Sequence, residues 1–179
     1  AQEQFPFLGE ITSDKVIVRS GQNTNFETLG SLLKGTQVVV VQQNYSWYRI
    51  KLPSDTQSYI SADFVKSLDD NIGEITGNRV NIRARAGTNF TVIGQMKRGQ
   101  NVRILNKVSD KWYQIEASEG MYGWVLAEYV KFNSTEIPPP IIVNPPIRNI
   151  YVKKHIAEQK KAEEQKRLAA IKAKEEEER

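Results

Sequence analysis

The sequence predicts a mainly β chain: two small barrels in tandem, then a proline-rich linker and a charged C-terminal α-helix. Three observations carry this. Residues 80–94, Val-Asn-Ile-Arg-Ala-Arg-Ala-Gly-Thr-Asn-Phe-Thr-Val-Ile-Gly, repeat the pattern of residues 16–30 at an offset of 64. Both copies are made of short runs of β-branched and aromatic residues separated by Gly, Asn, Pro and Asp, the pattern of strands joined by turns. Near residue 137 the composition changes, first to proline and then to Ala, Glu, Lys, Gln and Arg.

The repeat extends beyond its best-matched stretch. Gly9-Glu10-Ile11-Thr12 falls on Gly73-Glu74-Ile75-Thr76, and after one inserted residue Trp47-Tyr48-Arg49-Ile50 falls on Trp112-Tyr113-Gln114-Ile115. A fixed period over most of a segment marks duplicated structural units. The expected organisation is a lead-in over 1–8, one barrel over 9–68, a second over 73–132, a linker over 133–147 and a helical tail over 148–179. A unit of about 60 residues buries only about 60% of its unfolded surface, so the copies are expected to lean on each other.

Taken in order, Phe5-Pro6-Phe7-Leu8 reads as a strand-like lead-in across the first barrel. Val38-Val39-Val40-Val41 suits a strand buried on both sides, ended by Asn44, whereas Tyr48, Ile50 and Leu52 alternate with Arg49 and Lys51, the period of a half-exposed strand. Pro53-Ser54-Asp55 is a turn signal, Tyr59-Ile60 a last short strand, and residues 61–65 a helical turn into a closing strand. The second copy repeats this order. Five of the seven prolines lie within 138–146, which predicts an extended spacer. From Arg148 onward no Gly or Pro interrupts a strong helix composition. Lys160/Glu164 and Glu163/Arg167 add i,i+4 pairs worth a few tenths of a kcal/mol each.

Composition excludes several classes. The chain has no cysteine and one histidine, His155, so thiol nucleophiles, cysteine-bound zinc and a histidine-rich metal cluster are absent. No Gly-rich phosphate loop appears either, and neither a catalytic function nor any cofactor or metal is expected. The net charge of +4 is spread among acidic residues with no RNA-binding signature, so no nucleic-acid partner is expected. No stretch reaches the roughly 20 apolar residues of a membrane span. The start Ala-Gln-Glu-Gln fits a secreted protein after signal-peptide removal, which predicts a periplasmic or extracellular location.

The motif Val-Asn-Ile-Arg-Ala, then Gly-Thr-Asn-Phe-Thr-Val-Ile-Gly, then Lys97-Arg98-Gly99, Trp112-Tyr113 and Gly123-Trp124-Val125, resembles the bacterial SH3 (SH3b) domain family over about residues 9–131. The first copy departs from the pattern in having Ser58 and Tyr59 where the second has Gly123 and Trp124. The resemblance implies SH3-like barrels, export, and a targeting module that holds peptidoglycan or an envelope protein complex. It also implies a shallow groove between loops, for which Trp47, Tyr48, Tyr59, Trp112, Tyr113, Tyr122, Trp124 and Tyr129 are the aromatic candidates. Alternation puts Trp47 and Tyr48 on opposite faces, and likewise Trp112 and Tyr113, so one of each pair should be buried. Arg83, like Arg19, either reaches across a turn to backbone carbonyls or contacts ligand, and Asn89 sits in the loop after the strand.

Two functions are consistent with these readings. In one, the tandem barrels bind peptidoglycan or an envelope protein partner, with the second copy carrying the stronger site. In the other, the protein is a structural subunit of an envelope-spanning assembly such as a motor, appendage or secretion machine, docking through the barrels and through Leu168 and Ile171 of the tail, with self-association by the same helix. The apolar residues of the tail do not sustain a heptad, so a solvated helix is the competing reading.

Overall fold

The computed structural model describes residues 4–69, 71–139 and 147–178, with the side chains of the C-terminal helix described from Ala157 onward. The first repeat supplies β1 (Phe7–Ile11), β2 (Val16–Arg19), β3 (Thr28–Leu32), β4 (Gln37–Asn44), β5 (Trp47–Lys51) and β6 (Gln57–Ser61), then a 3-10 turn (Ala62–Phe64) and β7 (Val65–Ser67). The second supplies β8 (Ile72–Ile75), β9 (Val80–Arg83), β10 (Val92–Met96), β11 (Asn101–Lys107), β12 (Trp112–Glu116) and β13 (Tyr122–Leu126), a 3-10 turn (Ala127–Tyr129) and β14 (Val130–Ser134). Helix α1 (Ile147–Glu178) follows. The strands belong to one compact unit and the helix to another.

Two seven-stranded antiparallel sheets form, and neither follows the repeat boundary. Their orders are β14-β1-β4-β5-β13-β2-β3 and β10-β9-β6-β12-β11-β8-β7. Strand β13 of the second repeat lies between β5 and β2 of the first, in the register Lys51↔Tyr122, Ile50↔Gly123, Arg49↔Trp124, Tyr48↔Val125 and Trp47↔Leu126. Reciprocally, β6 of the first repeat lies between β12 and β9 of the second, with Gln114 opposite Tyr59. The closing strands cross as well: β14 pairs with β1, and β7 with β8. Each sheet thus takes five strands from one repeat and two from the other.

The two tandem units expected are present, and each sheet is completed by strands of the other repeat. The physical reason is that β6 and β13 carry the same in–out alternation, so each satisfies the other repeat's vacant edge as well as its own. The crossover is fixed at the hinges that precede them. Leu52 N–H donates to the carbonyl of Met121 at 3.0 Å, tying one hinge to the other. Gly94 pairs with Met121, and a Cβ at Gly94 would run into the carbonyl oxygen of Gly120. The first hinge is pinned by Thr56, whose N–H and hydroxyl both donate to the carbonyl of Pro53, at 3.1 and 2.6 Å.

The donated strands bring their own core residues. Val125 on β13 and Ile60 on β6 are fully buried, and the buried apolar side chains of both sheets form one continuous cluster with Val18, Ile50, Ile82 and Ile115. Burying such a side chain stabilises by about 1.5–3 kcal/mol. Two smaller corrections concern the first repeat. Phe7 is fully buried in β1, which is an interior strand between β14 and β4 and not a lead-in. The valine run is half-buried by alternation, Val38 and Val40 facing in, Val39 and Val41 less so. The spacer expectation falls largely on residues 140–146, which lie outside the described residues.

A polar latch joins the repeats beside the exchange. Glu27 and Thr91 occupy equivalent positions in the two copies. Thr91 donates its N–H to one Glu27 carboxylate oxygen at 2.9 Å and its hydroxyl to the other at 2.8 Å; Ser20 donates its hydroxyl to the second oxygen at 2.8 Å. Partial burial pushes the Glu27 pKa up, but this is outweighed by the Thr91 and Glu27 backbone N–H groups and the two hydroxyls, which bring it down to about 2. A carboxylate with a lowered pKa stabilises the fold fully above its unfolded value of 4.5, and that contribution disappears as the pH falls to about 2. Urea unfolding of Glu27→Gln is therefore expected to show a lower midpoint than wild type at pH 7, the gap narrowing below pH 4.5 and closing near pH 2. A gap independent of pH would show that the carboxylate is not held by these bonds.

Candidate functional site

The exchange decides which aromatic residues meet. On β5, Trp47, Arg49 and Lys51 alternate outward while Tyr48 and Ile50 are buried. On β13, Tyr122, Trp124 and Leu126 face outward beside them, with Gly123 and Val125 buried. Directly opposed residues on one face of a ladder sit in side-chain contact range. Trp124 consequently lies between Arg49 of β5 and Arg19 of β2, while Tyr122 lies opposite Lys51 and Leu126 opposite Trp47. The Arg49 guanidinium stands over the Tyr122 ring, 4.2 Å from its centroid, a cation–π stack.

One end of this face opens into a shallow depression of about 380 Å³, walled by Arg49 and Tyr122 on one side and by residues 92–95 of β10 with Gly120 on the other. Lys51 is partly compensated, its Nζ lying 3.3 Å from a Glu119 carboxylate oxygen. Arg19 is committed to its loop: Nη1 donates to the carbonyls of Thr24 at 3.3 Å and Phe26 at 3.1 Å. The Arg49 guanidinium makes no hydrogen bond or ion pair with another described residue and is the available cation of the face.

The equivalent face of the second sheet is chemically different. Trp112, Gln114 and Glu116 of β12 lie beside Gln57, Tyr59 and Ser61 of β6, with Tyr59 also opposite Arg83. Glu116 is paired with Arg103 at 3.0 Å. Where the first face has Arg49, Lys51 and Tyr122, this one has Gln114, Glu116 and Gln57.

The sequence-predicted candidates therefore divide. Trp47, Tyr122 and Trp124 come together on the first face, and Trp112, Tyr59 and Arg83 on the second. Tyr48 is buried against Phe7, ring centroids 5.7 Å apart. Tyr113 and Tyr129 are half-buried and pack against the core, Tyr113 beneath Lys107. Asn89 is exposed on its loop. Arg83 Nη1 donates to the Phe90 carbonyl at 2.8 Å, which is the cross-turn bond of the two roles open to it. Arg49 and Lys51 were not among the candidates, although their outward alternation with Trp47 was visible in the sequence. Leu168 and Ile171 are 57% and 49% exposed on α1.

Trp124 is positioned by its neighbour Gly123. A Cβ at that position would lie 2.7 Å from both Leu52 and Val18, which are side chains of the first repeat. In the other sheet the equivalent residue Ser58 has room for a side chain, and its hydroxyl donates to the Ile115 carbonyl at 2.8 Å. Gly123→Ala is expected to overpack this site and cost on the order of 1–3 kcal/mol, read as a lowered melting temperature. An unchanged melting temperature would mean that β13 does not pack on Leu52 and Val18.

The profile of the bacterial SH3 domain family matches residues 14–66 and 78–131. A relative to which N-acetylmuramoyl-L-alanine amidase activity is ascribed, YrvJ of Bacillus subtilis (strain 168), is 27% identical over 139 residues, covering 69% of this chain and 26% of its own length. Among solved structures, NlpC2 of Trichomonas vaginalis is similar at 14% identity and a TM-score of 0.22, over 77% of this chain and 52% of that one. NlpC1 of the same organism is similar at 13% identity and a TM-score of 0.24, over 78% and 50%. The chain spans about a quarter of the length of the curated relative.

Proposed function

The chain belongs to the bacterial SH3 domain family, and from that premise we propose that it is a non-catalytic binding module of the bacterial cell envelope, with peptidoglycan as its ligand. The observation that carries this is the outward face of the first sheet, where Trp47, Trp124 and Tyr122 line up with Arg49 and Lys51. Flat aromatic side chains with polar tips offer contact area at small entropic cost, and a neighbouring cation adds orientation. Support for the ligand class comes from the relative whose ascribed activity is on N-acetylmuramoyl-L-alanine, a wall component. Support for a binding role comes from the family match over residues 14–66 and 78–131. The proposed location is outside the cytoplasm, where that ligand is found.

This places the principal site on a face shared by both repeats and not within the second alone. In this reading the second sheet's face is the weaker of the two, because Gln114 and Glu116 stand where the first has Arg49 and Lys51, and Gln57 and Ser61 where it has Tyr122 and Leu126. A second reading is favoured by one observation: Leu168 and Ile171 stand exposed on an otherwise charged α1, a small apolar patch suited to a protein partner in an envelope assembly. The two readings are compatible if the face holds the wall and the helix a partner.

Sedimentation with purified peptidoglycan sacculi tests the first reading. Wild-type protein is expected to co-sediment, and Trp124→Ala, a half-exposed position, to lose about tenfold or more in affinity while keeping its circular dichroism spectrum. Protein that stays in the supernatant with sacculi, or a Trp124→Ala variant that sediments as well as wild type, would refute it.

A further inference from the structure

The two faces are an internal comparison: same fold, same register, different charge. Arg49 and Gln114 are equivalent residues on equivalent strands, as are Lys51 and Glu116, and Tyr122 and Gln57. Arg83 on the second face is bonded to the Phe90 carbonyl, whereas the Arg49 guanidinium of the first has neither a hydrogen bond nor an ion pair among the described residues and stands over an aromatic ring. A stacked guanidinium keeps its edge N–H donors free, and those donors match the two oxygens of a carboxylate in a fork. The ring also fixes the side chain before any ligand arrives, so little rotamer freedom is lost on binding. Arg49 opens directly into the depression against β10, whose other wall is residues 92–95 with Gly120.

We propose that this face recognises a free carboxylate of a wall peptide, with Arg49 as the anchor, Tyr122 as its platform and Trp124 as the apolar contact beside it. The proposal rests on the wall-binding reading above and adds the chemistry that the site selects. Lys51 contributes less because Glu119 compensates it, and Arg19 contributes less because its Nη1 is spent on the Thr24 and Phe26 carbonyls. A carboxylate fits better than a polyanion such as a phosphodiester chain, since the face presents one available guanidinium and a carboxylate, Glu119, at its border.

The test uses the full chain and muropeptides, the N-acetylmuramoyl-peptide fragments released from peptidoglycan, in two forms. One is native and the other has every carboxylate converted to the primary amide. Titration calorimetry is expected to show native fragments binding about tenfold or more tighter than amidated ones, the range of a charge-assisted fork. Arg49→Gln, which faces outward, should lose this preference and bind native and amidated fragments equally. Arg49→Lys, which keeps the charge without the fork, should retain only part of it. Equal affinity of wild type for both forms, or an undiminished preference in Arg49→Gln, overturns the carboxylate assignment and leaves wall binding standing. Binding of neither form by the wild type, together with no retention on sacculi, overturns both.

Discussion

Strand β13 lies between β5 and β2 in the first sheet, and β6 between β12 and β9 in the second. Everything else in the paired barrels depends on these two donated strands. Without β13, two interior strands would present unpaired backbone N–H and C=O groups, each buried one costing about 1–3 kcal/mol, and the core cluster would lose Val125. Neither repeat can complete a sheet unless the other supplies its penultimate strand. Small units with modest cores gain from this arrangement, because two cores become one cluster and the stability of each repeat is shared.

The same exchange sorts the surface chemistry. Had each repeat kept its own strand, Trp47, Arg49 and Lys51 would border Gln57, Tyr59 and Ser61, while Trp112, Gln114 and Glu116 would border Tyr122, Trp124 and Leu126. Both faces would then be mixed. Crossing over instead gathers the cations of the first repeat with the larger aromatic and apolar groups of the second, and leaves the polar residues of both to the other face. Divergence between the copies, which looks scattered along the chain, is concentrated in space. Gly123 permits this by letting β13 lie close against Leu52 and Val18, and Glu27 holds the repeats together nearby through Thr91.

Much of the fold was legible in the sequence, because strands declare themselves through side-chain alternation and turns through residue chemistry. Tyr48 inward and Trp47 outward, the 3-10 turn after β6 and the cross-turn bonds of Arg19 and Arg83 all follow from local pattern. Strand partnership did not follow, and the reason is physical: β6 and β13 carry nearly the same alternation, so a repeat sequence does not distinguish its own closing strand from its neighbour's. The same ambiguity reaches the site, because Arg49 and the ring it stands over, Tyr122, lie 73 residues apart in the chain. The burial of Phe7 as an interior strand residue was hidden for the same reason, since its neighbour β14 comes from the far end of the second repeat.

The exchange can be tested directly because the chain contains no cysteine of its own. Lys51 is opposite Tyr122 in the exchanged sheet, whereas in a sheet closed by the repeat's own strand it would be opposite Gln57. Directly opposed residues of antiparallel strands bring their Cα atoms within disulfide range. Under mild oxidation of the monomeric protein, the double variant Lys51→Cys/Tyr122→Cys should form an intramolecular disulfide, and Lys51→Cys/Gln57→Cys should keep two free thiols. Cross-linking of the second pair and not of the first would show that each repeat closes its own barrel, and the composite face would not exist.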